Sequence, residues 1–512
     1  MDEMQDMPIS PELPSILPTV AEINRLPPEM LAGIFVYLSR QEPDSAGRKA
    51  SHSVQDLISV THVCTLWRRA AITAPGLWTE ITMMNLEMTK AFLERSRAVP
   101  LNVDLRPSSG TELNTVRLDM VIPHIHRLRQ LSVHTLTRRD YLTRALTSFT
   151  EPVPLLERLV IRHPLGGRSL LLFGDQAPRL RELVIVSDGL RLQNRLGSLT
   201  SLHVTLPWMG SDFLPFFDML RRCPVLEEMF VSWSGRDPPP PPPQLPTVPL
   251  RHLRKLFLHL CTVGNIRYLL HSFDLRANGI AIHLSSVHPQ GNYSISDIQT
   301  IFPNDNSSRP SLTSSTKLEL IFHTQPQTFI MHAVGPGFST RIDLGLRDFG
   351  SHDVNYTFHD IFPLVKELWV RGLSRMGAKL HGIEHFTALE KLVLIGKGPK
   401  VARIFRQALS PDPSGALPCP LLSTIDCHGN ASEMREIFLL LRKRFTAGRR
   451  FEKVRVPSSF IPLPADTASC VREVESLDIP SRVLHMYAME LPEFCFAEKG
   501  HEWWEPWRSK LG

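Results

Sequence analysis

The sequence predicts an α/β chain: three short helices near the N-terminus, then an irregular solenoid of short strands with partly helical connections. Three observations predict it. Residues 26–38 and 56–78 carry apolar side chains at helical spacing. Beyond residue 100 one short apolar phrase recurs along the chain. Proline stands at one fixed place ahead of many copies of that phrase.

Residues 26–38 read LPPEMLAGIFVYL. Pro27 and Pro28 suit a first helical turn, where their missing N–H costs nothing. Leu26, Met30, Leu31, Ile34, Phe35 and Leu38 then make one apolar stripe. Residues 56–78 read DLISVTHVCTLWRRAAITAPGLW and repeat the spacing with Leu57, Ile58, Val60, Val63, Cys64 and Trp67. Asp56 is expected in a first turn, where a carboxylate suits the helix dipole. Pro75 and Gly76 stop the third helix. The polar stretch between the two pieces, SRQEPDSAGRKASHSVQ (39–55), reads as an exposed loop. Roughly 45 ordered residues in three helices bury little surface. An apolar stripe left over on such a unit is a docking face.

The order of these pieces resembles the F-box: Leu-Pro-x-Glu with Ile-Phe-x-x-Leu, then Asp-Leu with Val-Cys-x-x-Trp, then Leu-Trp. The resemblance spans residues 21–82 and departs from the usual pattern in the length of the 39–55 insertion. It implies a surface for a Skp adaptor, and through it a cullin, built on or supported by Leu26, Pro27, Glu29, Ile34, Leu38, Leu57, Val63 and Trp67. Leu26 and Pro27 are the expected direct contacts and Trp67 is expected to be mainly core.

The repeated phrase is apolar-x-x-apolar-x-apolar. Its clear copies begin at Leu128, Leu156, Leu180, Leu199, Leu226, Leu253, Val365, Leu389 and Leu422, with looser ones at Phe451 and Val474. Chance alone gives on the order of ten such matches in a chain this long. Two facts lift the pattern above chance. Pro154, Pro178, Pro224, Pro363 and Pro420 each stand two residues before a first apolar position, where about one such proline is expected. Apart from one long gap, the copies lie 19–33 residues apart, the period of leucine-rich-repeat units. The gap from 258 to 365 holds three more strand-like runs, at 280–284, 318–322 and 341–346. Residues 212–223 and 399–409 read as helical connections. The array resembles an irregular leucine-rich-repeat region without the asparagine that usually follows each strand. With the F-box it resembles the F-box-like families of mushroom-forming fungi.

In such strands the residues between and after the apolar positions face outward. Phe230, Phe257 and Trp369 are large apolar groups at places that should be wet, with His259 and Arg371 beside them. These five are the candidates for a target-protein surface. Two segments stand outside the array. DPPPPPPQLP (237–246) favours a stiff polyproline rod, read either as a protruding loop or as a ligand for a proline-binding groove. HEWWEPWRSKLG (501–512) reads as a cap on the array or as a partner anchor. The expected organisation is an N-terminal segment (1–20), the helical domain (21–82), the array (83–480) and a C-terminal cap with its Trp-rich tail (481–512).

The remaining chemistry excludes more than it assigns. The formal net charge of +6 on 512 residues does not demand nucleic acid. The basic group Arg442, Lys443, Arg444, Arg449 and Arg450 reads as the solvated end of a helix at 433–445, or alternatively as a nuclear signal or docking patch. Seven scattered cysteines and an acidic, proline-rich start read as an intracellular chain, cytoplasmic or nuclear. No apolar run approaches the length of a membrane span. Phosphate-loop, nucleophile-elbow and zinc-protease phrases are missing, so no catalytic residue, cofactor or metal is expected. Cys419, Cys427 and His428 come nearest to a metal set, but Cys427 falls at an inward position. The expected function is a non-catalytic substrate receptor of an SCF-type ubiquitin ligase. The alternative is a repeat-based interaction scaffold whose F-box-like helices only cap the array.

Overall fold

The structure, a computed structural model, describes residues 23, 25–39, 52–82, 85–105, 111–134, 149–162, 169–186, 191–206, 214–233, 247–275, 279–287, 301–302, 310–324, 327–345, 361–372, 382–396, 399–412, 414–479 and 489–495. The segment 1–20, most of the 39–55 insertion, the proline run 237–246 and the tail 501–512 lie outside the described residues. The chain forms two compact units, Met1–Arg129 and Gln130–Gly512. The first therefore runs well past residue 82.

In the first unit, α1 (Pro28–Ser39) opens where the prolines place it. The Pro27 carbonyl accepts from the N–H groups of Met30 and Leu31, and Glu29 lies in the positive first turn. The helix α2 (His52–Val63) starts earlier than expected. Val54 extends the apolar spacing back by a turn, so residues 52–55 are helical and Asp56 lies beyond the first turn. Cys64 ends α2 and caps α3 (Thr65–Thr73), its sulfur accepting from the Trp67 N–H at 3.5 Å. A short 3-10 turn, Pro75–Trp78, then buries Trp78. Its indole N–H donates to the Ala71 carbonyl at 2.9 Å, and its ring meets Phe92 edge-on at 4.9 Å. Phe92 belongs to α4 (Leu86–Arg95), capped by Asn85. Beyond it come β1 (Leu101–Leu105), parallel to the extended pair Glu80–Ile81, and α5 (Thr111–Val121). Buried Arg127 fastens this end by donating to the Leu93 carbonyl at 2.9 Å and Ser96 Oγ at 3.0 Å.

The second unit is built on one parallel-dominated sheet. Its strands are β2 (Leu128–His134), β3 (Arg158–Arg162), β4 (Glu182–Val186), β5 (Ser201–Leu206), β6 (Glu228–Trp233), β7 (Lys255–His259) and β8 (Ile280–Val287). After them come β9 (Lys317–Thr324), β10 (Gln327–Gly335) and β11 (Phe338–Gly345). The last are β12 (Glu367–Arg371), β13 (Lys391–Ile395), β14 (Thr424–His428), β15 (Phe451–Val456) and β16 (Val471–Ser476). From β2 to β8 and from β12 to β16 each strand pairs in parallel with the next.

The fixed prolines explain themselves here. The N–H groups of Leu156, Leu180, Leu226, Val365 and Leu422 reach back to the carbonyls of Val153, Ala177, Cys223, Phe362 and Cys419 at 3.1–3.4 Å. Each proline is the second residue of such a turn, where its locked φ fits. The turn delivers the chain into the next strand in one register. Leu131, Leu159, Leu183, Leu202, Met229 and Leu256 consequently form a single inward row, each at most 1% exposed.

The centre of the sheet departs from that plan. β11, not β9, pairs with β8, in parallel. β10 is antiparallel to both β11 and β9, and β9 pairs in parallel with β12. The spatial order is thus β8-β11-β10-β9-β12: an antiparallel meander set into a parallel sheet. Three strand-like runs were expected in this gap, and β10 is an additional strand. Its run FIMHAV does not fit the repeated phrase. The GPG at 335–337 between β10 and β11 was the legible turn signal.

Helices α6 (Leu214–Arg221), α7 (Val263–Ser272), α8 (Pro399–Leu409) and α9 (Ala431–Thr446) fill connections between strands. α9 has a full capping box between Asn430 and Glu433. The expectation of a solvated basic helix end is corrected at one residue. Arg444 is 1% exposed, while Arg449 and Arg450 are exposed.

Candidate functional site

The α1 helix carries two apolar stripes rather than one. Successive residues are about 100° apart on a helix, so Leu31 and Phe35 point one way and Met30, Ile34 and Tyr37 another. Leu31 and Phe35 are buried, and Phe35 lies 5.2 Å from the Trp67 ring. Met30, Ile34 and Tyr37 are exposed, Ile34 by 37% and Tyr37 by 81%. Pro27 and Glu29 are exposed at the start of this stripe, and Leu26 is half-buried. Val63, at the end of α2, is exposed as well. Leu57 is buried and Trp67 half-buried, so both stand behind the surface and support it. The Leu38 side chain lies outside the described residues. Three large apolar groups at i, i+4 and i+7 thus stand in water on one face of a small helical unit.

Residues 23–84 match the F-box-like family. F-box domains are typically non-catalytic modules that bind a Skp-type adaptor. Among curated proteins, none matches the chain. The exposed stripe on α1 is therefore a surface of an F-box-like domain. Met30 and Tyr37 belong to it. Helical spacing alone does not separate Met30 from buried Leu31, because the residues that pack beneath the helix decide which stripe is covered.

The second unit presents one outward face, and parallel register lines its residues into rows. The middle row runs His203, Phe230, Phe257, His283, Arg341, His332, Glu319, Trp369, Val393, Asp426, Arg455. Phe230 and Phe257 meet edge-on at 4.8 Å, and Phe257 stacks on His283 at 4.3 Å. Beyond them the row becomes ionic. His283 Nε2 lies 3.0 Å from Asp343, whose other oxygen accepts from Arg341 at 2.7 Å. His332 Nδ1 lies 2.8 Å from Glu319, and Arg371 Nε is 2.7 Å from the second Glu319 oxygen. Lys391 donates to Glu367 at 2.6 Å, and Arg455 to Asp426 at 3.3 Å.

The expectation that Phe230, Phe257 and Trp369 are wet is corrected. All three are buried, as is Arg371, while His259 is half-buried. The cover is the chain's own segment 489–495. Leu491, Phe494 and Cys495 pack on Phe230, Phe257 and Ala281. Met489 and Leu491 pack on Val334, Trp369, Val393 and Ile395.

Burial sets the charge states beneath this cover. It disfavours the carboxylate of Glu319, but the bond from His332 and the nearby Arg371 outweigh it and hold the pKa below the ordinary value. Asp343 is held low in the same way by His283 and Arg341. Burial pushes His283 down to about 4, against the pull of Asp343. An unfolded histidine takes its proton near pH 6.5, so between that pH and about 4 the unfolded chain binds the extra proton. Stability therefore falls as pH drops through this window. The two carboxylates, whose folded pKa values are depressed, act in the same direction at lower pH. Urea unfolding at pH 7 and pH 5 should show a loss on the order of 2 kcal/mol from His283 alone. His283→Gln should flatten that slope, and an unchanged slope would assign the proton elsewhere.

The residues nearest to a metal set, Cys419, Cys427 and His428, fill structural roles. Cys419 Sγ–H donates to the Ile383 carbonyl at 3.1 Å, Cys427 is buried, and His428 Nε2 faces the Ile479 carbonyl at 3.2 Å. Among the described residues no group of three His, Cys, Asp or Glu side chains could hold a metal ion. Nor is any helix there long and apolar enough to cross a membrane.

Proposed function

We propose that this chain is the substrate-receptor subunit of an SCF-type ubiquitin ligase. The F-box-like domain binds the Skp adaptor, and through it a cullin, with the exposed stripe of α1 and the Leu26–Pro27 pair at its start. The second unit, read as an irregular leucine-rich-repeat-like solenoid, takes a target protein on its outward face, where Phe230, Phe257, Trp369 and Arg371 are reached only when segment 489–495 gives way and His259 is half-buried. The chain performs no bond-making step. It raises the effective concentration of target lysines at a conjugating enzyme held elsewhere in the complex. Its reduced thiols and this partner set suit the cytoplasm or nucleus. The observation that carries the reading is the family match at 23–84 together with exposed Met30, Ile34 and Tyr37 on α1.

Co-purification of the full chain with a Skp adaptor tests it. Wild type should recover the adaptor, and Leu26→Ala with Pro27→Ala should cut recovery at least tenfold. Pro27 is exposed and its backbone carbonyl still serves α1 after substitution, so the melting temperature should hold within a few degrees. No recovery by wild type, or undiminished recovery by the double variant, would overturn the adaptor role.

A further inference from the structure

Segment 489–495, MELPEFC, lies on the outward face without adding a strand to it. Its side chains alternate between face and water. Met489 and Cys495 are buried, Leu491 and Phe494 are half-buried, and Glu490 and Glu493 are exposed. Leu491 touches both apolar clusters of the face. Backbone recognition adds to this. The Met489 N–H faces buried Glu319 and helps to hold its carboxylate below the ordinary pKa. The Phe494 ring lies 3.6 Å from where a Cβ on Gly279 would stand. Residues 493–495 close the segment in a 3-10 turn, with the Cys495 N–H donating to the Pro492 carbonyl at 3.0 Å, so it sits on the face as a short stretch that ends in a turn and is anchored at Met489, Leu491 and Phe494. Lifted away, the segment would leave Phe230, Phe257 and Trp369 in water. Aromatic side chains of that size bury about 150–250 Å² each, enough for a patch that marks a docking site.

The geometry points to this face as a peptide-docking groove, with residues 489–495 as its resident occupant. The partner it fits is a short segment of a target protein that ends in a turn, with apolar side chains at i, i+2 and i+5, acidic residues between them, and a backbone N–H for Glu319. That segment displaces 489–495 in order to bind. The inference rests on the outward face being the target surface.

The reporter is Cys495 in the full-length wild-type chain. Its thiol should be alkylated, followed by mass spectrometry under native conditions, at least tenfold faster than Cys261 and Cys427. Both of those are buried in the same unit and open only with it. Excess synthetic peptide carrying the 489–495 sequence with Cys495→Ser should speed Cys495 labelling at least threefold, and the same peptide with Leu491→Asp should not. Leu491→Asp in the chain should make Cys495 react fast without peptide and leave adaptor recovery unchanged. Labelling of Cys495 in step with Cys261 and Cys427 would make the segment part of the core and overturn the inference. So would an absence of peptide effect, or a rate that depends on protein concentration, which would put a second copy's segment on the face. Adaptor recovery is measured separately, so failure of the groove and failure of the receptor role are told apart.

Discussion

Arg444→Ala is expected to destabilise the second unit by about 3–5 kcal/mol, the cost of leaving buried carbonyls without their donor and a cavity where the side chain packed. The side chain is 1% exposed. It spends its donors on backbone, with Nη1 donating to the carbonyls of Leu409 at 3.1 Å and Pro418 at 2.7 Å, and Nη2 to Cys419 at 2.9 Å. Burial lowers its pKa, but a guanidinium starts so high that it stays charged. One planar fork thus ties the end of α8 and the turn before β14 to α9. That turn needs the tie. Cys419 has φ of +47°, a conformation that costs a non-glycine residue free energy unless its surroundings impose it. Removing the fork leaves the Leu409 and Pro418 carbonyls without a donor, each at about 1–3 kcal/mol if water cannot reach it, while the Cys419 carbonyl keeps the Leu422 N–H. Arg444→Lys should recover little, because an ammonium cannot span carbonyls set for a planar group. Urea midpoints of the two variants measure this, and a loss under about 1 kcal/mol for Arg444→Ala would mean that water replaces the guanidinium.

Arg444 also shows where reading a sequence reaches its limit. A basic run at a helix end is a sound signal for the helix terminus, and α9 does end there. Which of the five cations turns inward depends on three carbonyls contributed by 409–419. The strands were legible because their cause is local. A tight turn, carrying proline in five copies, and an apolar alternation together set the strand starts and their inward side, so the clear phrases lead into strands, while the looser copy at Val474 runs past the end of β16 at Ser476. The meander was less legible because β10 follows no phrase and its partners are set by pairing across the sheet. Outwardness of Phe230, Phe257 and Trp369 followed from alternation, but coverage did not. The covering segment begins 120 residues after Trp369 and carries no repeat signal. On α1 the apolar residues were plain, yet their division into Leu31 and Phe35 inside and Met30, Ile34 and Tyr37 outside required the neighbouring helices.

That division yields the sharpest test of the F-box-like domain. Ile34→Asp should weaken adaptor binding by about a hundredfold or more, equal to about 2.7 kcal/mol, because a carboxylate placed in an apolar contact must be desolvated without a partner. Its thermal stability should stay close to wild type, since Ile34 already faces water in the free chain. Phe35→Ala, one residue on, should do the reverse. It removes a ring that is 1% exposed and packed on Trp67, at a cost of about 3–5 kcal/mol to the domain, and weakens binding only through the unfolded fraction. A domain stabilised by co-expressed adaptor should therefore rescue Phe35→Ala and not Ile34→Asp, because a ligand shifts a folding equilibrium only through a surface it can still bind. Calorimetric titration with the adaptor and thermal melts of the same two variants decide the matter. Ile34→Asp binding like wild type would remove α1's outward stripe from the interface. Both variants losing stability alike would mean that the stripe is packed in solution and that the domain's contact lies elsewhere on its surface.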